Sequence, residues 1–352
     1  MRTAIKIGGN ILQWHFPFIK IFFLPHDITI KLQNSFTDDF IGTLDEQSIQ
    51  RAKDELNEDE KNRQGAVETF REWVIQQQWL KTPTDTRFLL RFLRPKKYSQ
   101  LESRKAIEQF WRSRSQIPEW CSNKDPRDPV IQDVLSKGFV MRLPKADKDG
   151  RIYLLQRAGC MDVDYIKNKL GGPDAIFKTF SVIVDWITMD PRAQVNGMVG
   201  ILDLTGYGIQ HKLVLHTMEN IRKMSSMMQS NPMRVKGLHA YNLPPAFEAV
   251  LALIKTFLKP KLRDRVRTHG RTLVSLYEDI DMSVLPKEYL PDDYPCWGTL
   301  EEIIEYNKQE ILKQPVVDHI MGLTQGDYGV DLKLKPSGED VPSESFRKLN
   351  VD

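Results

Sequence analysis

The sequence predicts an α/β protein in which an N-terminal helical bundle packs on a mostly parallel sheet with flanking helices. Apolar residues recur at helical spacing through residues 43–117. Beyond a polar, proline-rich stretch, short apolar runs alternate with helical segments, a pattern typical of βα units. With 352 residues, 41% of them hydrophobic, the chain is long enough for one large domain and a smaller one.

Composition excludes some classes of protein. The 50 Lys and Arg nearly balance 47 Asp and Glu, so the excess of basic residues typical of nucleic-acid-coating proteins is missing and any basic surface must be local. Three cysteines without a CxxC pair indicate neither a disulfide framework nor a zinc site. We therefore expect a cytoplasmic protein that binds no nucleic acid.

Residues 1–42 are expected to form a poorly ordered leader. The stretch ILQWHFPFIKIFF is apolar, but His15, Pro17 and Lys20 interrupt it. A bilayer span needs about 20 mostly apolar residues, and a signal peptide needs a small-residue cleavage site. Neither pattern fits this segment.

A helical domain is predicted over residues 43–120. It begins with a capping box from Thr43 to Glu46, and a second capping box from Ser99 to Glu102 opens its last long helix. Between them, TDTRFLLRFLRPKKY alternates buried aromatic residues with outward arginines until Pro95 disfavours further helix. The polar segment CSNKDPRDPV then marks the boundary.

Residues 121–298 are predicted to form the sheet domain, and residues 299–352 a C-terminal helix and flexible tail. Three apolar runs bounded by turn residues are predicted as strands. They are Arg151–Gly159, Met198–Gly206 and Val235–Leu243. The segments between them, GGPDAIFKTFSVIVDWITMD and HKLVLHTMENIRKMSSMMQ, are predicted as one helix each.

Catalytic motifs with a known mechanism are missing from the sequence. GxSxG, HExxH, the P-loop pattern and GxGxxG do not occur. His211 and His216 are five residues apart and would face different sides of a helix, which argues against a shared metal. Asp203 ends a strand and is interpreted as a turn residue rather than a catalytic carboxylate. We predict no catalytic residue, no metal site and no cofactor.

The segment LKPKLRDRVRTHG concentrates positive charge directly after an apolar helix, Leu243–Leu258. Lys261 and Arg265, four apart, share a face if the segment is helical. Such charge is either a solvated face or a site for an anionic lipid, since each basic residue near an anionic leaflet contributes about 1 kcal/mol. Methionines near the central strands either fill the core or adapt to a ligand.

Several segments together resemble the CRAL-TRIO lipid-binding family, in particular its α-tocopherol transfer and cellular retinaldehyde-binding branch. They are DTRFLLRFLRPKKY, GILDLTGYGIQH, NPMRVKGLHAYNLPPAFEAVLALIKTFLKPKLRDRVRTHG and LPKEY, within residues 46–297. The resemblance implies a CRAL-TRIO fold that encloses one hydrophobic ligand under a mobile helical gate. It also implies a basic cleft that binds phosphatidylinositol bisphosphates.

Site residues follow from the resemblance by motif position. The phosphoinositide-binding residues fall on Lys96, Arg234, Lys236, Lys261 and Arg265. The lipid pocket falls on Phe177, Phe180, Val184, Met198, Ser226, Met227 and Asn231. The gate helix presents Phe247, Val250, Leu251, Ile254 and Leu258.

Two departures from the family pattern affect the interpretation. Leu290 and Pro291 stand where members usually have two glycines after LPxEY, which alters the turn after Tyr289. Met233 stands where phosphatidylinositol exchangers carry a glutamate that helps to hold inositol, so an apolar cargo is favoured over cavity-bound phosphatidylinositol.

The predicted function is that of a monomeric, non-enzymatic lipid carrier. It would bind a tocopherol-, retinoid- or similar isoprenoid-like ligand and associate transiently with endosomal or plasma membranes that contain phosphatidylinositol bisphosphates. One alternative is a phosphoinositide-responsive signalling or trafficking scaffold without cargo transfer. A lipid-modifying enzyme that uses Asp203 or His211 is the least favoured hypothesis.

Overall fold

A computed structural model describes residues 44–325 and 327–335 of the chain. The predicted leader and most of the predicted flexible tail lie outside these residues. Among the described residues, five α-helices and one short strand make up the N-terminal region from Glu46 to Cys121. They are α1 (Glu46–Leu56), α2 (Glu60–Gln76), β1 (Leu80–Lys81), α3 (Thr86–Leu93), α4 (Gln100–Gln116) and α5 (Pro118–Cys121).

Helix α1 begins at Glu46, and its N-cap is Asp45, whose carboxylate accepts a hydrogen bond from the Ser48 amide at 2.7 Å. Thr43, the predicted cap, lies outside the described residues. Ser99 does cap α4, with its hydroxyl 3.4 Å from the Glu102 amide. Asp and Ser both accept from free backbone N–H groups of the first turn, so either residue type can fix a helix start.

The main sheet has five strands in the order β2-β3-β4-β5-β6, with β2 antiparallel to β3 and the remaining pairs parallel. The strands are β2 (Val140–Arg142), β3 (Ile152–Arg157), β4 (Met198–Asp203), β5 (Val235–Tyr241) and β6 (Val266–Thr268). The three predicted strands form the centre of this sheet. The two edge strands were not predicted, because each is only three residues long and too short for a recognisable alternation.

In the part of the chain that the structure describes, ten α-helices surround or follow the strands. They are α6 (Pro129–Ser136), α7 (Asp174–Met189), α8 (Pro191–Asn196), α9 (Ile209–Leu215), α10 (Met218–Ser230), α11 (Pro245–Phe257), α12 (Pro260–Arg263), α13 (Val274–Tyr277), α14 (Leu300–Ile311) and α15 (Gln314–Gln325). The single helix predicted from His211 to Gln229 is wrong. The chain breaks there, and the hydroxyl of Thr217 accepts from the Asn220 amide at 3.2 Å and starts α10 afresh.

Both faces of the sheet are covered, as the apolar strands predict. In β3, Ile152 and Leu154 belong to one core cluster, whereas Tyr153 and Leu155 belong to another. After α15, a short strand β7 (Gly329–Val330) pairs antiparallel with β1 in the helical region. The described residues therefore all lie in one compact unit.

A buried ionic cluster connects the helical region to the sheet region. The Asp185 carboxylate on α7 accepts hydrogen bonds from the Arg114 guanidinium on α4 and from the Lys124 ammonium. The Lys124 Nζ also donates to the Ser181 hydroxyl at 3.0 Å. Burial alone would raise the pKa of Asp185, but the two adjacent cations lower that pKa well below its usual range.

We expect Asp185→Asn to lower the free energy of unfolding by about 3–5 kcal/mol, because it leaves two buried cations without a counter-ion. Since the folded-state pKa is lowered, this contribution is present above the unfolded value near pH 4 and is lost as the pH falls further. Urea denaturation at pH 7 and at decreasing pH measures both effects. Glu305→Gln, which removes an exposed ion pair with Lys308, is the matched control and should leave the midpoint nearly unchanged. Equal midpoints for the two variants would contradict a structural role for the cluster.

Candidate functional site

A cavity lies between one face of the sheet and helices α7, α10 and α11. It contains about 1250 Å³ of space, counted out to its opening. Small-molecule sites are typically concave and lined mostly by apolar side chains, and this cavity has both properties. Its lining comprises Trp120, Leu154, Gln156, Phe177, Phe180, Val184, Met198, Gly200, Ile201, Leu202, His216, Met224, Met227, Met228, Asn231, Met233, Val235, Leu238, His239, Ala240, Phe247, Leu251, Ile254, Leu258 and Val266.

Small and flexible residues shape this lining. A Cβ atom at Gly200 would lie 3.0 Å from a Leu238 methyl group, so glycine on β4 keeps the floor of the cavity free of side-chain atoms. Helix α10 contributes Met224, Met227 and Met228. Unbranched thioether side chains change rotamer readily, which suits ligands of varied shape.

Six of the seven pocket residues inferred from the resemblance line the cavity: Phe177, Phe180, Val184, Met198, Met227 and Asn231. The exception is Ser226. Its hydroxyl lies 2.9 Å from that of Ser113 on α4, so it points to the helical region. Adjacent residues on a helix are rotated by about 100°, which places Met227 toward the cavity and Ser226 away from it. Trp120 was missed, since it belongs to a four-residue helix far from the quoted motifs.

Helix α11 covers the cavity and corresponds to the predicted gate. Phe247, Leu251 and Ile254 line the cavity, as does Leu258, which follows the helix as its C-cap. Val250 does not line it. This residue belongs to the same buried cluster as Phe247 and Leu251, and that cluster also includes Ala158, Leu204 and Tyr207. At the C-terminal end, the Gln229 side-chain amide donates to the Phe257 carbonyl at 2.9 Å, so α10 holds the end of α11.

The few polar groups in the cavity are uncharged at neutral pH. Burial lowers the pKa of His216 to about 4, and its Nδ1 lies 2.8 Å from the Tyr207 hydroxyl. Burial, together with the neighbouring His269, lowers the pKa of His239 to about 4. The Asn231 side-chain amide donates to the Met227 carbonyl at 2.9 Å. The cavity therefore offers a mostly apolar, uncharged environment, which suits an apolar ligand.

Three of the predicted basic residues meet around the start of β5. The guanidinium of Arg234 and the ammonium of Lys236 lie 2.7 and 3.2 Å from the same carboxylate oxygen of Glu55 on α1. Arg265 donates to the carbonyl of Val235, which lies between them in sequence. Helix α12 ends at Arg263, so the condition under which Lys261 and Arg265 would share a helical face is not met.

A second group of cations lies at the C-terminal end of α11. Burial and the positive charges of Lys259 and Lys261 lower the pKa of Lys96. Within residues 44–325 and 327–335, the ammonium groups of these three lysines form no hydrogen bond or ion pair. We call Lys96, Lys259 and Lys261 the lysine cluster. The sequence motifs did not identify Lys259, although its position directly after the gate was a usable signal.

An exposed apolar surface borders the gate. Ile209 and Leu213, one helical turn apart on α9, are 57% and 68% exposed, and Met218 at the start of α10 is 46% exposed. Helix α9 contacts α11. Exposed apolar side chains one helical turn apart can form part of a contact surface. In the described part of the chain, the helices fall short of the length and apolar character needed to cross a membrane.

The residues considered for catalysis have structural partners. Asp203 accepts hydrogen bonds from the Thr205 amide, at 2.8 Å, and from the Tyr289 hydroxyl. The Nδ1 of His211 accepts from the Gly208 amide at 3.1 Å, and its Nε2 lies 2.9 Å from the Met161 carbonyl. These contacts hold the turn that follows β4.

Known proteins resemble the chain over most of its length. Residues 136–289 match the CRAL/TRIO domain, and residues 59–131 match the "Pinta-like, UBA domain". The "Alpha-tocopherol transfer protein-like" protein of Mus musculus is 29% identical over 291 residues, which cover 80% of this chain and 82% of that protein. "Clavesin-1" of Xenopus laevis is 29% identical over 323 residues, which cover 88% and 91%.

The domain match includes all of β2 to β6, the gate helix and most of the residues around the cavity. The match to the helical region and the lengths shared with the relatives extend the similarity beyond that domain. Residues 136–289 therefore match a CRAL/TRIO domain, and the chain is similar over most of its length to the alpha-tocopherol transfer protein-like proteins and to clavesins.

Proposed function

We propose that this protein is a lipid carrier without enzymatic activity, which holds one apolar lipid under α11 and exchanges it at membranes that contain phosphatidylinositol bisphosphates. The observation that carries the proposal is the adjacency of an apolar cavity, its helical cover and the lysine cluster. The match of residues 136–289 to the CRAL/TRIO domain supports the lipid-binding role.

The cavity lining supports an apolar cargo. Transfer of apolar surface out of water yields roughly 25 cal/mol per Å², so a ligand that buries about 400 Å² gains about 10 kcal/mol before the costs of association. Met233, which lines the cavity, provides no charge or strong hydrogen bond for an inositol headgroup. A tocopherol-, retinoid- or isoprenoid-like molecule fits these conditions, and the name of the mouse relative agrees with that class.

Exchange of the cargo requires displacement of α11. Three of its apolar side chains and that of its C-cap, Leu258, line the cavity, whereas Glu248, Ala249, Ala252 and Thr256 on the opposite face are exposed. When the helix moves, its cavity-lining side chains lose their apolar surroundings. Exposure of these side chains to water would cost free energy, whereas contact with the apolar part of a membrane would not. The gate therefore opens at a membrane surface in this proposal.

The lysine cluster supports docking to a polyanionic lipid headgroup. Ammonium groups without a counter-ion repel one another, and a headgroup with several phosphates relieves this repulsion through charge-assisted hydrogen bonds. Arg234 and Lys236 already form ion pairs with Glu55, so they add less net attraction for the headgroup. Their role in this proposal is mainly to orient the headgroup. Ile209 and Leu213 would enter the lipid interface beside the gate. We propose a monomer in the cytoplasm that contacts endosomal or plasma membranes transiently.

The cavity proposal predicts that Met228→Trp lowers the affinity for a fluorescent tocopherol analogue at least about tenfold, since an indole would occupy space needed by the ligand. Fluorescence titration of the purified protein measures this affinity. Met321→Trp, at a half-buried methionine of α15 outside the lining, is the matched control and should bind like the parent. Equal binding by both variants, with unchanged thermal unfolding, would refute ligand binding in this cavity.

The docking proposal predicts that Lys259→Ala combined with Lys261→Ala weakens binding to vesicles that contain phosphatidylinositol bisphosphate. At about 1 kcal/mol for each lysine, the loss is about 2 kcal/mol, or roughly thirtyfold, and it decreases as salt is added. Vesicle flotation at two salt concentrations measures this effect.

The control is Lys308→Ala combined with Lys313→Ala, which lowers the net charge by the same amount as the first double variant. Lys308 lies on α14 and Lys313 follows this helix, so the control should bind vesicles like the parent. Loss of binding in both double variants would show dependence on net charge alone and contradict a local site. Vesicle binding by the parent without transfer of the tocopherol analogue between vesicles would instead favour the scaffold function.

A further inference from the structure

Two histidines and an aspartate from three separate elements meet at the edge of the sheet. His239 lies on β5, His269 directly follows β6, and Asp279 follows α13. The His239 Nδ1 lies 2.9 Å from the His269 Nε2, and each of these nitrogens lies 3.9 Å from the same Asp279 carboxylate oxygen. The three atoms form a nearly symmetrical triangle whose members all belong to residue types that bind metals.

The size of this triangle fits a late first-row divalent cation. A point equidistant from the three atoms lies about 2.1 Å from each, from sides of 2.9, 3.9 and 3.9 Å. Zinc binds imidazole nitrogen at about 2.0–2.1 Å and carboxylate oxygen at about 2.0–2.2 Å. Two imidazoles and one carboxylate are also a donor set that selects zinc-like ions over magnesium or calcium.

The three side chains differ in burial: the two histidines are buried, whereas the aspartate is exposed. His239 and His269 are 7% and 6% exposed, whereas the side chain of Asp279 is 45% exposed. The backbone fixes both histidines, because His239 is paired within the sheet and the His269 amide donates to the Ala240 carbonyl at 2.8 Å. Solvent can therefore reach the site from the aspartate side, and water can complete the coordination of an ion.

Metal binding requires one of the two histidines to change its tautomer. In the present arrangement one imidazole donates an N–H to the other, and the two rings are inclined by only 16°. An ion needs a lone pair from each of these nitrogens, so the donating ring must carry its proton on its other nitrogen, and both rings must tilt toward Asp279. The positive charge of Arg267, which acts on His239, opposes the cation and moderates its affinity.

The geometry points to a binding site for one zinc-like divalent cation formed by His239, His269 and Asp279. Such an ion would tie β6 and the segment after α13 to β5. Since His239 also lines the cavity, the ion would stiffen one wall of the cavity. The inference does not depend on the nature of the cargo. Sequence spacing did not indicate this site, because its ligands are 30 and 10 residues apart on different elements.

Titration of the full-length, EDTA-treated protein with zinc chloride tests the site by calorimetry. We expect Asp279→Asn and His269→Gln each to weaken one zinc-binding event at least about tenfold, because each removes one of three ligands. Asp279→Asn is the more informative variant, since its exposed side chain can change without loss of the fold. Cobalt(II) absorption provides a second readout, in which the parent gains visible bands that both variants lack.

Two control variants separate this site from other histidines and carboxylates. His211→Gln and Asp264→Asn, at a histidine and an exposed carboxylate outside the trio, should bind zinc like the parent. Zinc binding by Asp279→Asn and His269→Gln that equals that of the parent would overturn the proposal. The absence of any zinc binding by the parent would overturn it as well.

Discussion

A parallel sheet with apolar residues on both faces must be shielded from water on both sides, and this constraint organises the molecule. On one face of the sheet the shield is a continuous side-chain core, in which Tyr153, Leu155, Val199 and Ile201 take part. On the other face, part of the shield is helix α11, and the space beneath it is not filled. A ligand that completes this second core would gain the same burial free energy that side chains gain elsewhere.

The charge distribution relates the cavity to its surroundings. Two cations deep in the protein, Arg114 and Lys124, have an anionic partner in Asp185. By contrast, the lysine cluster lies at the end of the gate helix and has no such partner among the described residues. Positive charge without a counter-ion beside a movable apolar helix suits a binding partner with anionic groups at its surface and an apolar interior. A membrane leaflet has both properties.

Much of this arrangement could be predicted from the sequence, because the long elements carry repeated patterns. Apolar runs identified the three central strands, and helical spacing identified the gate. The family match, predicted from motifs, is confirmed. The boundaries of the domains and the roles of the site residues remain predictions.

Features that depend on a single side chain or on tertiary contact were less predictable. The break at Thr217 depends on one hydroxyl, and the orientation of Ser226 depends on where neighbouring α4 lies. Val250 shares the helical spacing of the gate residues and a buried cluster with Phe247 and Leu251, yet it does not line the cavity. Electrostatic interactions between residues far apart in sequence, such as the repulsion between Lys96 and Lys259, leave no periodic signal.

The central claim is that an apolar lipid completes the core beneath α11. The most direct measurement is solvent extraction of protein purified from eukaryotic cells, followed by mass spectrometry that quantifies lipid per mole of protein. The account predicts close to one apolar lipid molecule per chain, either as purified or after incubation with tocopherol or a retinoid. Protein that remains free of lipid under all of these conditions would contradict it.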